Sequence, residues 1–140
     1  MRSNLLVTFG AALLAAFSLS AQATPQKLIV EVPFAFTAGS ATFQAGRYTV
    51  TLGVVPSIIA LRSADGQAGA LIVNAVETMP APQNAQLVFH RYGHDYFLSQ
   101  VWNRGANQGR QIPKGARERE LASTVTPAGR EVLLTRAAGR

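Results

Sequence analysis

An all-β fold, mainly antiparallel, is predicted by three features of this chain: short runs in which apolar and polar residues alternate, turn residues between those runs, and enough length for one core. The expected architecture is a small β-sandwich or barrel-like domain with a short C-terminal helix and an irregular basic tail. Residues 24–140 form that single domain, large enough to bury a core without disulfide or metal, and the sequence contains no cysteine.

Residues 1–23 read as a cleavable signal peptide, with Arg2 in the basic n-region, an apolar run from Leu5 to Leu19, and Ala21-Gln22-Ala23 before cleavage at Thr24. That run falls short of the roughly 20 apolar residues that span a bilayer, and no later segment is long enough to do so. The absence of cysteine removes the lipid-attachment residue of a bacterial lipoprotein. The expected product is exported, periplasmic or extracellular, with no transmembrane span after cleavage.

The first strand covers Leu28 to Phe36, with Leu28, Val30, Val32, Phe34 and Phe36 on its buried face. Pro33 cannot donate to a ladder, so this strand is expected at an edge or with a bulge there. Turn residues Ala38-Gly39-Ser40 follow, and the bend Gln44-Ala45-Gly46 feeds a second strand with Tyr48, Val50 and Leu52 inward. Ser57–Arg62 and Ala68–Val76 are joined by Asp65-Gly66, a pair suited to a two-residue hairpin loop. That loop sets Ile58 and Ala60 opposite Val73 and Leu71, and Ile59 and Leu61 opposite Ile72 and Ala70. Both hairpin faces are then apolar, which predicts a central hairpin covered on both sides by a sheet, the C-terminal segment or a partner chain.

Pro80 and Pro82 mark a connecting loop. Gln86–Asn103 is expected to turn at Gly93-His94, with Leu87, Phe89, Arg91, Tyr96, Leu98, Gln100 and Trp102 on one face. Val88, His90, Tyr92, Phe97, Ser99 and Val101 take the other. Arg104–Pro113 has no periodicity and reads as an irregular, mobile loop. Ala116–Ala122 favours helix through Arg, Glu, Leu and Ala, and Glu131–Arg136 is a last short strand.

Four segments, Val32-Pro33-Phe34-Ala35-Phe36, Phe43-Gln44-Ala45-Gly46-Arg47-Tyr48-Thr49-Val50, Leu87-Val88-Phe89-His90-Arg91-Tyr92-Gly93 and Tyr96-Phe97-Leu98-Ser99-Gln100-Val101-Trp102, resemble in order and spacing those of a family of uncharacterised exported bacterial proteins. The resemblance runs from about Leu28 to Leu121. It implies export and a single domain, and brings no activity, substrate or cofactor. Phe43–Val50 is also similar to the start of a strand in transthyretin-like β-sandwich modules, an analogy of fold alone.

Charge is divided unevenly. Between Thr24 and His90, Lys27, Arg47 and Arg62 balance Glu31, Asp65 and Glu77, whereas nine basic residues face four acidic ones from Arg91 onward. Such a basic half suits a polyanion: nucleic acid, anionic lipid or acidic polysaccharide.

The residue types that carry chemistry are sparse. His90 and His94 with Asp95 make an incomplete metal set, so no metal and no cofactor are expected. No Gly-x-Ser-x-Gly elbow and no phosphate-binding Gly-Lys-Ser/Thr loop occur. Ser99 shares a predicted face with His90, but the carboxylate to orient that imidazole would have to be Asp95 in the same tight turn. The binding candidates are His90, Arg91, His94, Tyr96 and Trp102, with no catalytic residue assigned.

The leading expectation is therefore a non-enzymatic module acting by binding or assembly, with a cell-envelope protein, a polyanionic polymer or a second copy as partner. If the second hairpin face is an interface, Ile59→Lys or Ile72→Lys is expected to break that assembly and leave a folded monomer, whereas unfolding would indicate an internal core. The alternatives are an enzyme centred on residues 90–96 and a polyanion binder using the basic half.

Overall fold

The chain is described here by a computed structural model covering residues 24–78, 80–125 and 129–137; the predicted signal peptide lies outside them. In chain order the strands are β1 (Gln26–Val32), β2 (Phe36–Ala38), β3 (Ala41–Phe43), β4 (Gly46–Val55), β5 (Ile58–Ser63), β6 (Ala68–Ile72), β7 (Asn74–Glu77), β8 (Gln86–Tyr92), β9 (Asp95–Trp102) and β10 (Gln108–Gln111). Helix α1 (Ala116–Thr124), β11 (Gly129–Leu134) and β12 (Arg136–Ala137) complete the domain. The fold is all-β and dominated by antiparallel pairing, as the alternating pattern predicts.

Two sheets face one another. Sheet A runs β12-β1-β4-β5-β6 and sheet B runs β11-β8-β9-β10-β7, with β2 pairing β9 and β3 pairing β2. At Val73 the chain leaves β6 in sheet A for β7 in sheet B, and at Thr135 it leaves β11 in sheet B for β12 in sheet A. The amides of these hinge residues stay bonded, Val73 N–H to Ser57 O and Thr135 N–H to Ala85 O, both at 2.8 Å. Because β6–β7 and β11–β12 each run on from one sheet into the other, the two sheets are joined at both sides in a barrel-like arrangement.

The interior is filled by inward residues of both sheets: Val30, Val32, Tyr48, Val50, Ile59 and Leu61 from sheet A, and Leu87, Phe89, Leu98 and Val101 from sheet B. Phe36 and Phe43, carried by the β2–β3 hairpin, join them. Phe36 meets the Phe43, Tyr48 and Phe89 rings at centroid distances of 5.2 to 5.4 Å.

The structure corrects four expectations. The predicted first strand splits at Pro33, which follows the last residue of β1 and so needs no ladder bond; Phe36 then pairs in sheet B instead. The β5–β6 loop is longer than two residues: Ser63 N–H bonds Gln67 O at 2.7 Å and Gly66 takes a φ of +99°. Ile59 therefore pairs with Leu71, and Ile58 with Ile72. One residue of extra loop moves every β6 side chain to the opposite face relative to that expectation. Leu71 is buried, whereas Ile72 is 73% exposed and Ile58 39%. The hairpin is thus covered on one side only, and β6 ends sheet A.

In the β8–β9 hairpin, Gly93 has a φ of +62° at the first loop position, as the two-residue turn requires. The register then slips, because Phe89 pairs with Leu98 while Val88 pairs with Gln100. Ser99 is the extra residue of a β-bulge, so beyond it Val101 points inward and Trp102 outward, the reverse of strict alternation. Finally, the predicted irregular loop contains β10, which bridges β7 and β9. Its Gln-Gly-Arg-Gln sequence lacks apolar periodicity because the Trp102 ring supplies the apolar cover.

That cover depends on Gly109. A Cβ at this position would lie 2.6 Å from Trp102 Cδ2 and Cε3, closer than any carbon contact allows. Gly109→Ala is expected to displace the indole and cost about 2 kcal/mol, lowering the melting temperature by several degrees. Thermal denaturation followed by Trp102 fluorescence measures both effects.

Candidate functional site

The outer surfaces of the two sheets differ, and each carries a candidate site. On sheet B, Val88, Tyr92, Phe97, Ser99 and Trp102 are buried although they stand outside the barrel core. Helix α1 lies on this side, and its one buried residue is an acid, Glu118, at 4% exposure. Glu118 Oε1 accepts hydrogen bonds from His90 Nδ1 at 2.9 Å and from the Tyr92 hydroxyl at 3.2 Å. A carboxylate bonded in this way places the hydrogen on Nδ1, and in the neutral ring Nε2 is left to accept from Ser99 Oγ at 3.3 Å.

Glu118, His90 and Ser99 thus stand in the order of a carboxylate, imidazole and hydroxyl relay. The β8–β9 pairing and the bulge at Ser99 set the imidazole beside the hydroxyl, while α1 supplies the carboxylate. Ser99 itself is only 3% exposed, and its carbonyl accepts the Ile112 amide at 2.8 Å. The network fastens α1 to the sheet, together with Arg117 to Asp95 at 4.0 Å and the close approach of Gly115 to the Gly39 carbonyl. A Cβ on Gly115 would stand 2.8 Å from that oxygen.

The residues singled out from sequence do not converge. His90 joins the relay, and Asp95 turns to Arg117. His94 is exposed at the hairpin tip. Arg91 and Tyr96 form a cross-strand pair, the guanidinium 5.7 Å from the ring centre, and Tyr96 stacks on Phe34 at 3.8 Å. Trp102 donates its Nε1–H to Gln100 and edges a cleft of about 390 Å³ shared with Pro80, Pro82 and Arg130. Among the described residues no group of three or more His, Asp or Glu side chains is placed to hold a metal ion. Glu118 was missed because nothing in its local sequence, Arg-Glu-Arg-Glu, separates it from a solvated helix face.

Burial raises the Tyr92 phenol above its ordinary value, and the charge and hydrogen bond of Glu118 add to the effect. Tyr48 is raised as well, chiefly by burial and then by Asp65. For a raised phenol the stability is fully present below the unfolded value of about 10 and is lost as pH rises through the folded value. The barrel is therefore expected to lose stability above about pH 10, with tyrosinate absorbance appearing together with unfolding. Urea midpoints at pH 8, 10 and 11 check this; a midpoint unchanged to about pH 11 contradicts it.

Comparison of the chain with family models, curated proteins and solved structures finds no match.

The second candidate is the outer face of sheet A. Val55, Ile58 and Ile72 lie together at one end of it, exposed at 42%, 39% and 73%, with Ile58 paired to both of the others. Beside them runs a trough of about 570 Å³ floored by Ala60, Ala68, Gly69 and Ala70, with Thr49 and Thr51 on one side and Lys27 and Arg62 at its margins. Glu31 on this face is paired with Arg47 at 2.7 Å. Lys27 and Arg62 have no ion-pair partner among the described residues.

Proposed function

We propose that this chain is an exported, non-enzymatic module of the cell envelope that acts by binding or assembly through the outer face of sheet A. The observation that carries this reading is the Ile58–Ile72 pair. β-branched residues stand exposed beside one another on strands that bury Ile59, Leu61 and Leu71 on the other face, while the equivalent side of sheet B is roofed by α1. Contiguous exposed apolar surface of this kind marks an interaction site in soluble proteins. Export is supported by the leader pattern, and the described domain begins its first strand at Gln26, just after the expected cleavage point.

The experiment is purification from the native host under mild conditions. The mature chain is expected to start at Thr24 and to elute above its monomer mass. Ile58→Lys combined with Ile72→Lys is expected to return it to monomer mass with an unchanged circular dichroism spectrum. Elution of the wild-type protein as a monomer under all conditions contradicts the reading.

The relay favours a second reading, acyl transfer with Ser99 as nucleophile. It requires an opening beside Ser99 that leaves Glu118 on His90, since Ser99 is buried. Covalent labelling by a fluorophosphonate that disappears in Ser99→Ala selects this reading over binding.

A further inference from the structure

We propose that the occupant of the sheet A face is an acidic segment of a partner protein, its apolar side chains on Ile58 and Ile72 and its carboxylates on Lys27 and Arg62. The inference rests on the binding reading above and names its partner chemistry. Three features of the face carry it.

The first is charge. Of the described charged side chains on this face, Glu31 is engaged by Arg47, which leaves Lys27 and Arg62 as uncompensated cations. A second copy of this chain, packed face to face about a two-fold axis, would bring two such pairs of cations together, and like charges across an interface oppose association. The predicted leader does not complement them either, because its one charged side chain is Arg2.

The second is spacing. Ile58 and Arg62 share the outer face of β5 four residues apart, about 13 Å at the rise of a strand. Lys27 is two strands away, next to Thr51, which in turn pairs with Ala60. The two cations are therefore separated by about 12 Å between Cα atoms, within reach of neighbouring acidic residues on one segment.

The third is the floor. Ala60, Ala68 and Ala70 raise no side chain beyond a methyl group, so a backbone can settle between the apolar end and the cationic margins. The Thr49 and Thr51 hydroxyls offer hydrogen bonds to carboxylate or backbone there. Single-stranded nucleic acid is a poorer fit, since no aromatic ring lines the trough on which a base would stack.

The test uses the mature full-length protein and two labelled synthetic peptides. One alternates Thr with Glu, Glu, Leu and Val; the other replaces both Glu by Lys. Fluorescence anisotropy at low and moderate salt is expected to show the Glu peptide binding at least about tenfold more tightly than the Lys peptide, with the difference shrinking as salt rises. Lys27→Glu combined with Arg62→Glu, both at exposed positions, is expected to invert the preference, and Ile72→Lys to weaken either peptide.

Equal affinity for the two peptides, or no binding at millimolar concentration, overturns the inference. So does displacement of the Glu peptide by heparin from a protein indifferent to Ile72→Lys, which identifies a polyanion surface. Concentration-dependent self-association abolished by Ile72→Lys overturns the acidic partner too, but leaves the binding module standing with a second copy as occupant. Failure of both the peptide and the native assembly experiments removes the binding reading itself.

Discussion

Ile59→Lys is expected to abolish the folded state, whereas Ile72→Lys melts within about 2 °C of the wild-type protein. Both residues lie in the same hairpin, both are isoleucine, and only their faces differ. Ile59 is completely buried in the barrel interior opposite Leu71. A lysine there must either carry an uncompensated charge into the core or lose its proton, and its chain must also fit a space shaped for a branched side chain. Substitutions of this kind cost upward of about 4 kcal/mol, a large part of a small domain's stability. Ile72 is 73% exposed, so lysine there keeps its ammonium in water and its methylenes along the sheet. Far-ultraviolet circular dichroism and urea titration of the two variants measure the contrast. Equal destabilisation would show that Ile72 is covered in the free monomer.

Glu118→Ala is expected to release α1 and cost about 2–3 kcal/mol, from the loss of two hydrogen bonds to a buried carboxylate and the stranding of their donors. The Tyr92 hydroxyl is the more heavily penalised donor, because its ring is buried while His90 is partly open to water. Since Glu118 is the only buried residue of α1, no apolar stripe holds the helix once it is gone. Hydrogen exchange of the α1 amides should accelerate toward that of an unfolded segment, while the strands remain protected. Glu118→Gln keeps one acceptor and should recover part of the loss. Slow α1 exchange in Glu118→Ala would assign the docking to the backbone contact at Gly115 and Gly39 instead.

If the acyl-transfer reading holds, the same variant separates roles. Removing the carboxylate that orients His90 would expose Ser99 but leave its imidazole without a fixed tautomer. Fluorophosphonate labelling should then fall, not rise, in Glu118→Ala.

Much of the fold was legible because side-chain alternation is a local record of which face meets the core. Leu28, Val30, Val32, Tyr48, Val50 and Leu52 were placed inward correctly, and the Gly93-His94 turn and the helix beginning at Ala116 also emerged. Alternation fails where the chain gains or loses one residue against its neighbour. The loop from Ser63 to Gln67 and the bulge at Ser99 are both such places, and each reverses the faces that follow. β10 escaped notice for another reason: its burial comes from one distant ring, Trp102, and not from its own side chains.

The candidate sites were less legible than the fold. His90 and Ser99 could be brought together from their positions on adjoining strands, but their carboxylate sits on a helix whose docking leaves no local signature. The exposed pair Ile58–Ile72 does not emerge from the sequence, because a loop one residue too short sets Ile72 opposite Ile59 instead of Ile58.

By itself the sequence determined the all-β class, the position of most strands, the inward set on sheet A and the division of charge along the chain, since these depend on near-neighbour periodicity and composition. Only the tertiary structure decided how the two sheets join through Val73 and Thr135, which carboxylate reaches His90, and which sheet face is left open to solvent. Those outcomes are fixed by register and by contacts between distant segments, where a shift of a single residue changes the partner of every side chain beyond it.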